Sequence, residues 1–257
     1  MFNINDVEDI IKFYIKPIHS KNLVDKPIQY VNFGASSTIW NVNGFILRIS
    51  NATVNEKEGY EILKKLNIYK NSKIVRLYYG GYFKYNGKLY LYQILENCKG
   101  IELFKYVERN FGNYSILFVK NTIREILLGV KFIHSKQIVH NDLKLENIIV
   151  SSNGRVKIID FGVSILLNDK SFIFNDFGSQ YYCPNEKPYT SYKTDVYSIG
   201  VMLHLMISCE FPNFKNEVSN KIKDPILIDL LKSMLNENYI ARFNIESSLN
   251  HPWFEIN

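Results

Sequence analysis

Residues 28–95 of this chain have the pattern of short β-strands around one helix, whereas helical patterns dominate from Leu103 onward. Two dipeptides, Asn43-Gly44 and Asn86-Gly87, separate β-rich segments, and asparagine–glycine is typical of two-residue hairpin turns. When strands come first and helices follow, the two groups fold as segregated parts rather than as alternating βαβ units. The sequence therefore predicts an α+β fold with a small β-rich N-lobe containing one main helix and a larger helical C-lobe.

Hydrophobic periodicity and turn residues predict the individual segments. The predicted strands cover residues 31–42, 45–49, 74–83 and 88–95, and the predicted helices cover residues 54–66, 121–134, 193–207, 225–235 and 245–249. An N-terminal helix is expected to be capped by Asn5 or Asp6. Its apolar positions are Val7, Ile10, Ile11 and Tyr14. We divide this single domain into an extension (1–27), an N-lobe (28–95), a hinge (96–100) and a C-lobe (101–257).

The composition is that of a folded intracellular protein. With 46% hydrophobic residues among 257, the chain can bury a substantial core. Cys98, Cys183 and Cys209 are scattered, which favours a reducing compartment and gives no zinc framework. The longest apolar run, residues 197–207, is too short to span a bilayer, and the net charge of +6 contains no block of like charges. We expect a monomeric intracellular protein, cytoplasmic or nuclear, without a membrane or nucleic-acid partner.

Two motifs carry the chemistry. Residues 140–147 read H-x-D-x-K-x-x-N, and Asp160-Phe161-Gly162 begins eighteen residues after Asp142. Phosphoryl transfer needs a carboxylate at the attacking hydroxyl and oxygen ligands for the Mg²⁺ that bridges the phosphates. Asp142 suits the first role, and Asn147 and Asp160 suit the second. Each fragment alone is a weak signal, but the two together at this spacing predict a phosphoryl-transfer site.

These motifs resemble the eukaryotic-type protein kinase superfamily over roughly residues 28–254, and the likeness is greatest to serine/threonine kinases of the calmodulin-dependent and related groups. Lys144, two residues after Asp142, is the serine/threonine form of the loop. The other matching segments are residues 178–186, with P-N-E in place of A-P-E, residues 194–200, and Arg242 followed by residues 251–254.

The resemblance implies a bilobal kinase fold, Mg²⁺ and ATP as ligands, and a protein substrate with a serine or threonine acceptor. It implies that Asp195 braces the catalytic loop and that Arg242 pairs with Glu186. Packing is the expected role of His140 and Phe161. The catalytic residues that it implies are Asp142, Lys144 and Ser179, and the metal ligands are Asn147 and Asp160.

The nucleotide-binding side departs from the family pattern. Only Gly34 keeps its glycine in the segment aligned with G-x-G-x-x-G, and a plain strand-turn-strand is an equal interpretation there. Ile46 stands where most relatives have alanine, so the adenine slot is expected to be tight. The nucleotide-binding residues implied by the resemblance are Gly34, Ala35, Ser36, Ser37 and Ile39 in the loop segment, Ile46 and Arg48 in the next strand, the gatekeeper Leu95, Glu96 and Cys98 on the hinge, Glu102 at the ribose, and Ile149 beside the base.

Arg48 occupies the position of the phosphate-binding lysine in relatives. Arginine keeps the charge, but its planar fork is longer and bulkier than an ammonium group. Strict register places Gly59 where relatives have the partner glutamate; Glu58 is one residue off, and Glu56 lies one turn earlier on nearly the same face. We expect Arg48 to contact the nucleotide phosphates and either Glu56 or Glu58.

Activity is expected not to depend on phosphorylation of the activation loop. Asn141 replaces the arginine that pairs with a loop phosphate in many relatives, and Asn175, followed by Asp176, replaces the phosphorylated threonine. The activation loop therefore lacks both the threonine that would be phosphorylated and the arginine that would bind the phosphate, so phosphorylation is not expected to order it.

Three functions fit the sequence. An active serine/threonine protein kinase is favoured by the complete set Asp142, Lys144, Asn147 and Asp160. A pseudokinase that serves as a nucleotide-binding or interaction scaffold is favoured by Arg48, Gly59 and the eroded glycine loop. A small-molecule kinase shares H-x-D-x-x-x-x-N but not the later segments.

Overall fold

The computed structural model describes residues 2–15, 28–33, 37–168, 170, 173–174, 178–185, 189–213 and 218–255. The chain divides into two compact units, one of Met1–Lys70 and Val75–Cys98 and the other of Asn71–Ile74 and Lys99–Asn257. Asn71–Ile74 belong to the second unit, in which Ile74 forms a β-bridge with Ile158 and the Ile158 N–H donates to the Lys73 carbonyl at 2.7 Å.

The first unit contains a five-stranded antiparallel sheet with strand order β1-β2-β3-β5-β4. Its strands are β1 (Gln29–Phe33), β2 (Ser37–Val42), β3 (Phe45–Asn51), β4 (Leu77–Tyr85) and β5 (Lys88–Glu96). Both asparagine–glycine hairpins are confirmed, since all four turn residues have the positive φ that a type I′ turn requires. The prediction of one strand over 31–42 is wrong because β1 and β2 are separate, paired strands. The prediction of a strand from residue 74 is also wrong, since β4 begins at Leu77.

An N-terminal helix packs against the sheet of this unit. It comprises α1 (Ile4–Ile10) and a π-helical continuation, Ile11–Ile15. Asn3 caps the helix, rather than the predicted Asn5 or Asp6, because its side chain accepts the Asp6 N–H while the Asp6 carboxylate accepts the Asn3 N–H. The buried members of the resulting core are Val7, Ile10, Ile11 and Ile15 from this helix, with Trp40, Val42, Leu47, Ile49, Phe83, Tyr92 and Ile94 from the sheet.

The helix α2 (Val54–Asn67) confirms the predicted helix of the first unit. The Thr53 hydroxyl caps its N-terminus by accepting the Glu56 N–H at 3.3 Å. Leu47 and Ile49 of β3 belong to the core shared with α1, and side chains alternate along a strand, so Arg48 between them points to the other face of the sheet.

The second unit is mainly helical. Its helices are α3 (Leu103–Asn110), α4 (Ile116–His134), α5 (Tyr192–Ser208), α6 (Pro225–Met234) and α7 (Ile245–Leu249). Four of them confirm predicted helices. The predicted start of α4 at residue 121 is wrong, because Ser115 caps the helix by accepting the Phe118 N–H at 3.1 Å. Most of α5 is buried, which makes it the central helix of this unit.

Short paired strands hold the segment between α4 and α5 in the second unit. One sheet contains β6 (Ile101–Glu102), β8 (Ile148–Val150) and β9 (Val156–Ile158). Two further pairs join β7 (Ile138–Val139) to β10 (Ile165–Leu166) and β11 (Ile173–Phe174) to β12 (Tyr189–Thr190). Among the residues that the structure describes, no helix is both long enough and apolar enough to cross a membrane.

Candidate active site

The three predicted catalytic residues lie together in the second unit. Lys144 Nζ is 2.8 Å from Asp142 Oδ2 and donates to Ser179 Oγ at 2.8 Å, and Ser179 Oγ donates to Asp142 Oδ1 at 2.8 Å. Asn147 Nδ2 donates to the Asp142 carbonyl at 2.8 Å and to Oδ2 at 3.1 Å. Charge-assisted hydrogen bonds of this kind fix the direction of a carboxylate. Asp142 is therefore held in one orientation while its side chain stays about 15% exposed.

A fully buried carboxylate on α5 supports the catalytic loop from behind. Asp195 accepts the backbone N–H groups of His140 and Asn141, each at 2.9 Å, and lies 2.9 Å from His134 Nε2. Burial acts to raise the pKa of Asp195, but the hydrogen bond to His134, the electrostatic effect of the His134 and His140 imidazoles and the Asn141 N–H together leave the pKa below its usual value. The predicted bracing role of Asp195 agrees with these contacts, whereas the contribution of His134 was not predicted.

The His140 ring connects the catalytic loop to the Asp160-Phe161-Gly162 segment. It packs against Phe161 with 4.8 Å between ring centroids, and its Nε2 lies 3.0 Å from the Ile159 carbonyl. Its Nδ1 accepts the Asp142 N–H at 3.3 Å, so Nε2 carries the proton and donates to Ile159. Packing was the predicted role of His140 and Phe161, and the histidine also orients two backbone segments.

The two predicted metal ligands are joined through the backbone. Ile159, which precedes Asp160, donates its N–H to the Asn147 carbonyl at 3.0 Å. Asp160 is exposed, and its Oδ1 accepts the Gly162 N–H at 3.2 Å. Asn147 uses its amide nitrogen on Asp142, which leaves the amide oxygen as its ligand atom. One carboxylate and one amide oxygen fit Mg²⁺, which takes oxygen ligands and completes its shell with water and phosphate.

Within the described ranges, no three histidine, cysteine, aspartate or glutamate side chains cluster so that they could hold a metal ion.

Asn141 joins both ends of the segment that follows Gly162. It is 3% exposed, and its φ of 68° lies in the left-handed region, which asparagine tolerates better than most residues. Its Nδ2 donates to the Val163 carbonyl at 3.3 Å, and the Thr190 hydroxyl donates to its Oδ1 at 3.0 Å. Thr190 is fully buried. Sequence reasoning missed both partners, since no spacing motif relates residues 141, 163 and 190.

In the first unit, Arg48 forms a bidentate ion pair with Glu56. Arg48 NH1 is 2.6 Å from Glu56 Oε2, and NH2 is 2.8 Å from Oε1. Arg48 is 8% exposed and Glu56 6% exposed, and NH1 also lies 3.4 Å from Gln93 Oε1. Of the two predicted partners, Glu56 makes this contact and Glu58 is exposed. Gly59, at the position expected from strict register, is buried on the same helix.

The strand register places other predicted nucleotide-binding residues on the Arg48 face of the sheet. Ile39 is the cross-strand partner of Arg48, Leu95 is that of Ile46, and Ile46 lies two residues from Arg48 in β3. Ile39, Ile46 and Leu95 are half-buried.

The remaining predicted nucleotide-binding residues are less closely grouped. Ser37 is buried at the start of β2, and Gly34, Ala35 and Ser36 lie outside the described residues. The Cys98 thiol is 3.7 Å from the Glu96 carbonyl. Glu102 and Ile149 belong to the second unit, where they pair across β6 and β8, and Glu102 forms an ion pair of 2.9 Å with Lys105.

The predicted pairing of Arg242 with Glu186 lies outside the described residues because Glu186 does. Arg242 itself is 1% exposed, donates from Nε to the Asn236 carbonyl at 2.9 Å, and lies over the Tyr197 ring at 5.1 Å. These contacts agree with a structural role for this arginine.

Comparison with known proteins places these residues in a family context. A sequence model of the protein kinase domain matches residues 48–254. The chain is similar to a protein of Dictyostelium discoideum named a probable serine/threonine-protein kinase, with 34% identity over 196 residues that cover 68% of this chain and 23% of that protein. It is also similar to the serine/threonine protein kinases OSK3 and OSK4 of Oryza sativa subsp. indica, with 30% identity over 226 residues covering 81% of this chain and 43% of each relative. The matched regions thus span less than half the length of these relatives.

Proposed function

Because the chain belongs to the protein kinase domain family, we propose that it is a serine/threonine protein kinase, which transfers the γ-phosphate of Mg·ATP to a hydroxyl group of a protein substrate. The observation that carries this proposal is the hydrogen-bonded cluster of Asp142, Lys144 and Ser179, with Asn147 bound to the same carboxylate. In this proposal Asp142 accepts the proton of the attacking hydroxyl, Lys144 stabilises charge beside it, and Ser179 keeps both side chains in place.

In this proposal Mg·ATP is the phosphoryl donor. When bound, it supplies the phosphoryl group and a cation that offsets the negative charge developing on the phosphate oxygens. Asn147 and Asp160 would hold the cation through their side-chain oxygens. Arg48 would contact the phosphates while Glu56 fixes its direction, since an arginine fork has donors beyond the two used on one carboxylate. In the first unit, the hydrophobic side chains Ile39, Ile46 and Leu95 would contact the base.

In the same proposal, the kinase is active without phosphorylation of the activation segment. Asn141 supports this because its uncharged amide already bonds to Val163 and Thr190, at the two ends of that segment. Buried amide hydrogen bonds need no added phosphate to form. The predicted acceptor-site residues Asn175 and Asp176 lie outside the described residues.

Several finer points stay predictions: the likeness to the calmodulin-dependent group, the monomeric state, the lack of nucleic-acid and membrane partners, and a cytoplasmic or nuclear location. The relatives' names support a protein substrate with a serine or threonine acceptor.

The test is transfer of labelled γ-phosphate from Mg·ATP to a generic basic protein by the wild type and by Asp142→Asn. Loss of general-base catalysis should lower transfer by roughly 10²–10⁴-fold. The matched control is Asp229→Asn, because the Asp229 side chain is 73% exposed. This variant should transfer phosphate as the wild type does. Equal transfer by Asp142→Asn would show that the role of Asp142 is wrong. No transfer by the wild type would favour the alternative, a pseudokinase scaffold.

A further inference from the structure

Two aromatic side chains near the catalytic cluster are exposed although their rings are in contact. Tyr181 is 67% exposed and Phe211 is 44% exposed, and their ring centroids are 5.3 Å apart with an interplanar angle of 40°. We call these two residues the aromatic pair. Isolated exposed hydrophobic residues are ordinary on a protein surface, but adjoining ones that expose a continuous apolar surface mark a binding site.

The backbone that carries Tyr181 is held firmly. Tyr181 lies in a 3₁₀ turn, Gln180–Tyr182, in which the Tyr182 N–H donates to the Ser179 carbonyl at 2.9 Å. The Tyr182 carbonyl accepts the Ser198 hydroxyl of α5 at 2.9 Å, and the Tyr182 side chain is 5% exposed. The ring of Tyr181 is therefore mounted on a turn anchored to the central helix.

The backbone before Phe211 is held as well. The Glu210 N–H donates to Ser208 Oγ at 3.2 Å, and the Glu210 carbonyl lies 2.8 Å from His204 Nδ1. The Phe211 ring packs edge-on against Tyr182, with 5.5 Å between centroids. A surface that is ordered before binding loses little conformational entropy when a ligand arrives.

The position of the aromatic pair indicates what binds there. Tyr181 lies two residues after Ser179, whose hydroxyl donates to Asp142, and two residue steps span at most about 7 Å. A substrate that presents its hydroxyl to Asp142 must continue along the surface next to this cluster. Because an extended peptide advances about 3.3 Å per residue, side chains within about four residues of the acceptor can reach the Tyr181 ring.

We propose that the aromatic pair binds an aliphatic or aromatic side chain of the protein substrate, within about four residues of its serine or threonine acceptor, and so sets the sequence preference of the enzyme. This inference rests on the proposed kinase function and names the class of substrate that the site takes.

The experiment uses serine peptides of glycine and lysine in which one leucine is moved from four residues before the acceptor to four residues after it. The specificity ratio is kcat/KM with leucine divided by kcat/KM without it. The wild type should show a ratio of roughly three to ten at a preferred position, as expected for one contact with an aromatic surface. The ratio should fall to about one in Tyr181→Ala and be kept in Tyr181→Phe, which retains the ring. The control Ile240→Ala, at a residue 82% exposed, should also keep it.

A flat profile in the wild type, or a ratio unchanged in Tyr181→Ala, would overturn the inference. So would a wild-type dimer in sedimentation equilibrium that Tyr181→Ala converts to monomer, because the aromatic pair would then join two copies of the chain. If the wild type transfers phosphate to no peptide, the kinase proposal fails and fluorescence polarisation decides the inference separately. Tighter binding of the leucine peptide than of the glycine peptide, lost in Tyr181→Ala, supports it, and equal binding contradicts it.

Discussion

The catalytic loop and the Arg48–Glu56 pair differ in how closely they keep the residue types and spacing of the family. Asp142, Lys144 and Asn147 in the catalytic loop, and Asp160 in the segment after it, all have the residue type and spacing of the family motifs. In the first unit, the cation is an arginine and its partner glutamate is three residues earlier than strict register predicts. Three residues of helix correspond to about 4.5 Å along the axis.

Geometry explains this difference. A carboxylate that receives a proton must lie within hydrogen-bond reach of one hydroxyl, so its neighbours cannot shift. An ion pair only requires that two charges meet, and the longer arginine can reach a carboxylate nearly one turn away on the same helix face. The 2.6 Å and 2.8 Å contacts to Glu56 indicate that the two departures compensate each other.

The largest effect should come from a substitution in the two motifs that keep the family spacing. Asp160→Ala should abolish the Mg²⁺-dependent part of ATP binding, because Asn147 alone supplies too few oxygen ligands. A ligand present at 100 times its Kd stabilises a protein by about 2.7 kcal/mol, which thermal unfolding detects easily. The measurement is the increase in Tm caused by ATP with Mg²⁺ and with a chelator, using Asp229→Ala as the control. Equal wild-type stabilisation under the two conditions would contradict the metal assignment.

Removing the Arg48–Glu56 ion pair should have the next largest effect. Arg48→Ala leaves Glu56 buried without this partner, and such a change destabilises proteins by about 3–5 kcal/mol. Loss of the charge-assisted contact should also lower transfer roughly ten- to hundredfold. Glu56→Ala should behave similarly, whereas Glu58→Ala, at an exposed position of the same helix, should change little. A greater loss with Glu58→Ala than with Glu56→Ala would reverse the assignment of the partner.

Sequence reasoning succeeded where a local signal determines structure and failed where distant residues decide it. Asn43-Gly44 specified its hairpin because few residues tolerate two successive positive φ angles. The start of α4 was misplaced because Ser115 was not recognised as its cap. The motif spacing predicted Asp142, Lys144 and Asn147 as site residues, and the structure brings their side chains into contact, but the choice between Glu56 and Glu58 required the structure. Val163 and Thr190 could not be identified, because hydrogen bonds between distant loops leave no periodic pattern.

A smaller effect is expected at the activation segment. Thr190→Val removes the hydroxyl bonded to Asn141 and should cost about 1 kcal/mol, lowering transfer a few-fold. Trypsin should cleave faster after the exposed Lys170. The matched control is Thr122→Val, since Thr122 is fully buried and its hydroxyl has no hydrogen-bond partner among the described residues.

Phosphatase treatment of the wild type should leave transfer unchanged, because the Asn141 contacts involve no phosphate. Loss of transfer after phosphatase treatment would contradict the proposed independence from phosphorylation. Unchanged trypsin cleavage in Thr190→Val would show that Asn141 does not order the segment.

The most direct measurement of whether Arg48 is an adapted catalytic element is phosphoryl transfer by Arg48→Lys beside the wild type, at saturating Mg·ATP. Lysine keeps the charge but loses the planar fork and is too short for the displaced glutamate, so transfer should fall roughly tenfold. Combining Arg48→Lys with Gly59→Glu, which places a carboxylate at the register position, should restore part of the loss. Transfer by Arg48→Lys clearly above that of the wild type would contradict the account and identify Arg48 as a mark of a degenerate pseudokinase.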